Sequence, residues 1–276
     1  MSNKKLFLEI VDSELTAAIA AAGAAGAVDL IRRRGVIRAA WETLKPRTRR
    51  AVVRYMMCRN HRGKMTGLYS LSTSCELNPE CIRRHSGNVG ICGHCYSFDI
   101  NANNPALSWK LKRNTAILTS VVLTPDDIPG DIFPPSGQLR FESFGDLLPG
   151  AAGAVQWLNY RTIAARLSHL RCAAWTKHPA TTATARPVNL ALVWSITAIN
   201  CRPAVIAAVV DAAARLSRDQ GRPDTIFLTV DDNAPAWAVV TCGRRACDRQ
   251  KGVCGGCYSG HSFPVVVVEK VKKLTV

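Results

Sequence analysis

The chain has 276 residues, 47% of them hydrophobic, so it can bury a sizeable core, which excludes an intrinsically disordered protein. Glu9, Asp12 and Glu14 interrupt the first apolar stretch, so we expect no signal peptide, and the alanine-rich run after them is too short to span a bilayer. We therefore expect a soluble protein in a reducing, cytosol-like compartment.

The net charge is +16, and residues 1–65 hold 14 Lys and Arg against 5 Asp and Glu. A basic segment of this kind commonly contacts phosphate, which makes nucleic acid a candidate partner. A solvated helical face in a basic protein is the equally open alternative.

The first part of the chain, residues 5–58, has a helical pattern in which Gly23, Gly26, Gly35 and Pro46 mark breaks. We predict two or three helices there, as a basic helical extension over residues 1–65. The remaining residues, 66–276, are predicted to form the main domain.

Strand patterns then alternate with helical patterns. The predicted strands cover 67–72, 138–143, 171–176, 188–197, 225–230 and 264–269, and the predicted helices cover 107–122, 154–170 and about 203–219. Such alternation is typical of parallel β/α units, so we predict an α/β fold. A partial (β/α)6-type barrel of parallel strands is the first choice and a doubly wound sheet the second. In either, chemistry belongs at the carboxyl ends of the strands.

Eight of the eleven cysteines fall into two groups of four, within the loops 75–95 and 242–257. Each group ends in the same way, as Cys92-Gly-His-Cys95-Tyr-Ser and as Cys254-Gly-Gly-Cys257-Tyr-Ser. A Cys-x-x-Cys turn brings two thiolates to one metal, and two upstream cysteines can complete a tetrahedron. The predicted metal ligands are Cys75, Cys81, Cys92 and Cys95, and then Cys242, Cys247, Cys254 and Cys257.

Four thiolates suit zinc and iron–sulfur clusters equally. The first group follows the first predicted strand, where an active site is expected, so we assign it a reactive [4Fe–4S] site. The second group lies in a glycine- and arginine-rich excursion near the C-terminus, and we assign it a structural metal knuckle holding zinc or a second iron–sulfur cluster.

The chain also carries an ordered series of motifs that resembles a phage family called gene product 88. Besides the turn that ends at Cys95, the series comprises Lys112-Arg-Asn114, Arg140-Phe-Glu-Ser-Phe-Gly-Asp-Leu147 and Trp175-Thr-Lys-His-Pro179. It covers about residues 66–260. The series is more distantly similar to the phage family of gene products 37 and 68, and through it to radical S-adenosylmethionine enzymes.

The resemblance implies a [4Fe–4S] cluster on Cys81, Cys92 and Cys95, with S-adenosylmethionine bound beside it. By position, Glu142, Asp146 and Lys177 would be catalytic, and Glu142, Ser143, Asp146 and Ser195 would bind the cofactor. A host flavodoxin or ferredoxin would supply electrons, and nucleic acid or a nucleotide would be the substrate. The resemblance implies the cytoplasm of a phage host as the location, with no membrane partner.

Two departures from the radical enzymes keep other functions open. Ten residues separate Cys81 from Cys92, and Cys75 offers a fourth thiolate at the iron that S-adenosylmethionine needs. One alternative is a non-enzymatic, zinc-binding phage protein that binds nucleic acid. A second is a base-exchanging transglycosylase with Asp146 or Asp231 as its nucleophile.

Overall fold

The fold is that of a computed structural model. It describes residues 2–22, 27–59, 68–87, 92–93, 95–133, 137–177 and 185–197, single positions between 204 and 215, and three strand segments at 225–230, 240–241 and 265–270. The helix predicted over about 203–219 lies largely outside these residues.

Three helices open the chain, as predicted. Gly35 was wrongly predicted as a break, because an isolated glycine is tolerated within a helix and Gly35 lies within α2. They are α1 (Asn3–Ala22), α2 (Ala27–Glu42) and α3 (Pro46–Met56). A proline in the first turn of α3 fits because that position has no intrahelical partner for its missing N–H. Helix α3 buries Val52, Val53 and Met56 on one face and carries its arginines on the other.

The middle of the chain begins with two short strands, β1 (Cys58–Arg59) and β2 (Tyr69–Leu71). Helices α4 (Pro79–Ser86), α5 (Tyr96–Asn103) and α6 (Pro105–Ser120) follow. Helix α4 lies inside the segment predicted as a cysteine-rich loop. It forms because Asn78 accepts hydrogen bonds from two backbone amides of its first turn, where Pro79 also stands.

The second half alternates strand and helix. Its described elements are β3 (Gly137–Phe141), α7 (Gly150–Arg166), β4 (Leu170–Thr176), β5 (Leu190–Thr197), β6 (Thr225–Val230), β7 (Val240–Thr241) and β8 (Val265–Lys270). All six predicted strands are confirmed, each within two residues at either end. Helix α7 begins four residues before its predicted start, directly after Pro149.

One sheet contains all these strands, in the order β1-β2-β3-β4-β5-β6-β8-β7. Only β1 pairs antiparallel among the described strands, and each other neighbouring pair is parallel. Strands β2 to β6 are therefore adjacent in chain order, which confirms an α/β fold with a parallel sheet. Their carboxyl ends share one edge, and that edge positions the site described below.

The hydrophobic core lies on one face of the sheet. The inward residues of neighbouring strands, such as Leu139, Cys172 and Leu192, pack in one cluster with side chains from α6 and α7. Phe141 stacks on Tyr160 of α7 with ring centroids 4.4 Å apart. The opposite face is more polar, and there Arg140 lies over the ring of Trp175 at 4.0 Å.

The basic N-terminal helices share this core, since Phe7, Val11 and Trp41 belong to the same buried cluster. A charged contact also fastens α1 to α6. The Arg113 guanidinium donates to both carboxylate oxygens of Asp12 at 2.5 Å each, and the Trp109 indole donates to the same carboxylate at 2.9 Å. No helix in the described portion of the chain is long and apolar enough to cross a membrane.

Replacing Asp12 tests this contact. Asp12→Ala should lower the free energy of unfolding by about 1–3 kcal/mol, because a half-buried guanidinium and an indole N–H lose their shared acceptor. Urea unfolding measures the loss. Glu9→Ala on the same helix is the control, because Glu9 makes only an exposed ion pair with Lys5 at 3.9 Å, and it should cost less than about 0.5 kcal/mol. Equal effects of the two changes would contradict the role of Asp12.

Candidate metal and cofactor site

The candidate site lies where β2, β3 and β4 end. Residues 72–75 follow β2, residues 142–146 follow β3, and Thr176 and Lys177 end β4. Because these strands are parallel neighbours, their carboxyl ends lie side by side. The position is the one at which α/β sheets commonly bind ligands.

Glu142 is the centre of the first polar network. It is buried, and it is the only described non-glycine residue with a positive φ, at 59°. Its carboxylate accepts from the Thr73 amide at 3.0 Å, the Thr73 hydroxyl at 2.9 Å, the Gln156 amide at 2.5 Å and the Tyr160 hydroxyl. Burial raises the pKa of Glu142 to about 7, against the opposing effect of these hydrogen bonds.

Asp146 is the centre of the second network and is also buried. It accepts from the Thr176 hydroxyl at 2.8 Å and from the Lys177 amide at 3.1 Å, and it pairs with the Lys177 ammonium at 3.7 Å. Burial disfavours the charged ammonium, but Asp146 and the thiolate form of Cys92 outweigh it and raise the pKa of Lys177. The site thus keeps a cation beside the cysteines.

The four cysteines of the first group lie close enough to interact with one another. Cys75 begins a short 3-10 helix, Cys81 lies in α4, and Cys95 immediately precedes α5. Cys75 and Cys92 each interact electrostatically with Cys81 and Cys95. Cys75 also donates to the carbonyl of Phe144.

These contacts separate the thiols chemically. The neighbouring Cys75 thiol is the largest cause that lowers the pKa of Cys95 to about 5; burial opposes this effect and the Ser97 amide adds to it. Cys81 and Cys95, together with burial, raise the pKa of Cys75. Burial also raises the pKa of Cys92. The lowered pKa of Cys95 favours its thiolate form, which is the form that binds metal.

Among the described residues, no three His, Cys, Asp or Glu side chains are arranged as a formed metal site. The Cys75 thiol instead donates to the Phe144 carbonyl. The chemistry of the group nevertheless fits a metal, since four buried or half-buried sulfurs lie close together beside the Lys177 ammonium. A histidine lies beside the group, where His85 Nδ1 is 2.9 Å from the Cys92 carbonyl.

The fold brings most of the predicted site residues together, namely Cys75, Cys81, Cys92, Cys95, Glu142, Asp146 and Lys177. Ser143 lies in the same loop, and its amide donates to the Ser72 hydroxyl at 2.8 Å. Ser195 is half-buried on β5, and no described contact joins it to this network. The second group of cysteines, Cys242, Cys247, Cys254 and Cys257, and also Asp231, lie outside the described residues.

Sequence reasoning missed the partners of the two carboxylates, which are Thr73, Gln156, Tyr160 and Thr176. The Tyr160 ring packs in the hydrophobic core, while its hydroxyl reaches Glu142. A signal for the pair on α7 exists in the sequence. Gln156 and Tyr160 are four residues apart, so both stand on the buried helix face.

Gly145 allows the two strand-end loops to meet. A Cβ on this residue would lie 2.5 Å from Glu142 Oε2 and 2.7 Å from the Thr73 carbonyl oxygen, and it would also overlap the Thr73 hydroxyl. These distances are closer than real Cβ contacts, and one of the atoms belongs to backbone. Only glycine therefore fits between the loops.

Comparisons with known proteins yield no match: no family model, curated protein or solved structure is significantly similar to this chain.

The close approach of the two loops at Gly145 can be tested by substitution. Gly145→Ala should lower the free energy of unfolding by about 2–4 kcal/mol, because the methyl group displaces the Glu142–Thr73 pair. Gly35→Ala is the matched control, since Gly35 lies within α2 with nothing within 4 Å of an added Cβ. That change should stabilise the protein by about 0.5–1 kcal/mol. Urea unfolding of both variants decides, and a neutral Gly145→Ala would contradict the close approach.

The buried carboxyl of Glu142 should make stability depend on pH. Its folded pKa of about 7 lies above the ordinary value of 4.5, so the unfolded chain releases this proton first as pH rises. The Glu142 contribution to unfolding free energy should fall by about 3 kcal/mol between these two values. The measurement is the difference between the wild type and Glu142→Gln in urea unfolding at about pH 5 and about pH 7.5. A difference that is the same at both pH values would show that the pKa is not raised.

Proposed function

We propose that the chain is a metalloprotein whose first cysteine group binds a [4Fe–4S] cluster at the carboxyl edge of the sheet, in the manner of radical S-adenosylmethionine enzymes. The observation that carries the proposal is the convergence of four cysteine thiols in the segment that directly follows a parallel strand. Thiolates are the ligands that iron–sulfur clusters take in proteins.

The sheet supports this proposal. Strands β2, β3, β4, β5, β6 and β8 are parallel neighbours in chain order, the connectivity that a partial barrel of six β/α units requires. We propose that the sheet curves into such a barrel, with the cysteine loop after its first parallel strand. The second cysteine group would form a separate metal knuckle, with zinc or a second cluster.

Cys81, Cys92 and Cys95 would hold the cluster. A reduced cluster of this kind supplies the electron that cleaves the sulfonium of S-adenosylmethionine. The chain's own contribution is electrostatic and positional. Lys177, fixed by Asp146, offsets the negative charge of the thiolates and offers a cation for the cofactor carboxylate. Ser143 and Ser195 are further proposed contacts of the cofactor.

The net charge of the protein indicates the class of its substrate. With a net charge of +16, the protein would attract an anionic substrate such as a nucleic acid or a nucleotide. A flavodoxin or ferredoxin of the host would serve as the reductant.

A specific observation favours a second candidate, a zinc protein without radical chemistry. Cys75 interacts electrostatically with Cys81 and Cys95, two of the three proposed cluster ligands, so a fourth thiol is close to the metal position. Four thiolates complete the tetrahedral shell of a structural zinc and leave no position open for a cofactor. The basic protein would then bind nucleic acid without catalysis.

Anaerobic reconstitution distinguishes the two candidates. The radical-enzyme proposal predicts brown protein with broad visible absorption and about four irons at the first site. Cys92→Ala combined with Cys75→Ala should remove this absorption, because Cys75 is a described thiol close enough to Cys81 and Cys95 to replace Cys92. Cys172→Ala is the control, since Cys172 lies on β4 and its side chain is buried in the hydrophobic core.

The contrary outcomes are equally distinct. Colourless protein that retains zinc would support the second candidate. Colour that survives the combined change of Cys81, Cys92 and Cys95 to alanine would reject the first site as the location of the cluster. Absence of both metals would reject the proposed function.

A further inference from the structure

Two loops meet at the candidate site, and successive residues of the two loops are joined by hydrogen bonds. The Glu142 amide donates to the Leu71 carbonyl at 3.0 Å, and the Ser143 amide donates to the Ser72 hydroxyl at 2.8 Å. The Thr73 amide then donates to the Glu142 carboxylate at 3.0 Å. The loop after β2 is therefore fastened to the loop after β3 just before its first cysteine.

The same fastening reaches Cys75. Thr73 stands two residues before Cys75, and Glu142 stands two residues before Phe144, whose carbonyl accepts from the Cys75 thiol. The Thr73–Glu142 contact thus sets the distance between the cysteine and the carbonyl. Gly145, which tolerates no side chain against Thr73 and Glu142, keeps the loops at this distance.

The Glu142 carboxylate has no capacity left for a ligand. Its Oε1 accepts from Gln156 and Tyr160, and its Oε2 accepts from the amide and hydroxyl of Thr73. A carboxylate has about four acceptor positions. A cofactor amino group could bind Glu142 only by displacing one of these buried donors, which would then lack a partner.

We infer that Glu142 is a positioning residue for Cys75, acting through Thr73, and that it does not contact the cofactor. The inference rests on the proposed function only in treating Cys75 as a neighbour of the metal. The placement of the thiol is a property of the metal-free chain and is tested there.

The experiment measures alkylation of individual cysteines in the metal-free, full-length protein by iodoacetamide, followed by peptide mass mapping. Thr73→Val removes the hydroxyl and keeps the side-chain shape, so Cys75 should react about tenfold faster as the loop opens more often. Glu142→Gln should also increase the alkylation rate of Cys75. Thr73→Ser, which retains the hydroxyl, should leave the rate close to that of the wild type.

Two internal controls separate positioning from loss of stability. Cys172 lies in the core, and its alkylation rate should not change in any of these variants. Thr119→Val makes the same substitution at a buried threonine whose hydroxyl donates to the Thr115 carbonyl of its own helix. This control should leave the rate at Cys75 unchanged. Unchanged rates at Cys75 in Thr73→Val, or parallel increases at Cys75 and Cys172, would overturn the inference.

A second arm uses the reconstituted protein and distinguishes the two levels of proposal. Binding of S-adenosylmethionine, followed by isothermal titration calorimetry, should be retained in Glu142→Gln. Lost binding with an unchanged alkylation rate at Cys75 would show a direct cofactor contact and overturn the inference. If the wild type binds no metal at all, the proposed function fails, while the alkylation rates still decide the positioning of Cys75.

Discussion

The burial of one carboxylate, that of Glu142, is the constraint on which the site depends. Moving a carboxyl group away from water is unfavourable unless it finds hydrogen-bond donors, and Glu142 takes its donors from Thr73, Gln156 and Tyr160. These residues belong to two different segments, because Thr73 lies in the loop after β2 and both Gln156 and Tyr160 lie on α7. The Glu142 carboxyl group therefore positions both α7 and the loop after β2. The positive φ of Glu142 is maintained by the same contacts.

The framework of the fold is readable from the sequence because it rests on periodicity. Apolar runs such as 188–197 and 225–230 predict strands, and amphipathic spacing predicts α6 before β3 and α7 between β3 and β4. Helix α4 was missed because only eight residues form it, and its start depends on the cap by Asn78 rather than on a long apolar stripe. Hydrophobic periodicity gives little information about the hydrogen bonds that cap a helix.

The sequence predicted which residues lie at the candidate site, but it did not predict their hydrogen-bond partners. Cysteine spacing and the strand-end positions of Glu142, Asp146 and Lys177 point to one edge of the sheet, and the described structure places them there. Whether Glu142 faces a cofactor or the protein depends on Gln156 and Tyr160 of α7. That packing is a tertiary contact between segments, so no local pattern specifies it.

Two asparagines frame the segment that carries three of the cysteines. Asn78 caps α4 while its amide group donates to the carbonyls of Asp146 and Leu147, and Asn104 caps α6. Both ends of the stretch between them are thus anchored independently of its length. A change in the length of the stretch between Cys81 and Cys92 would therefore leave both anchored ends in place.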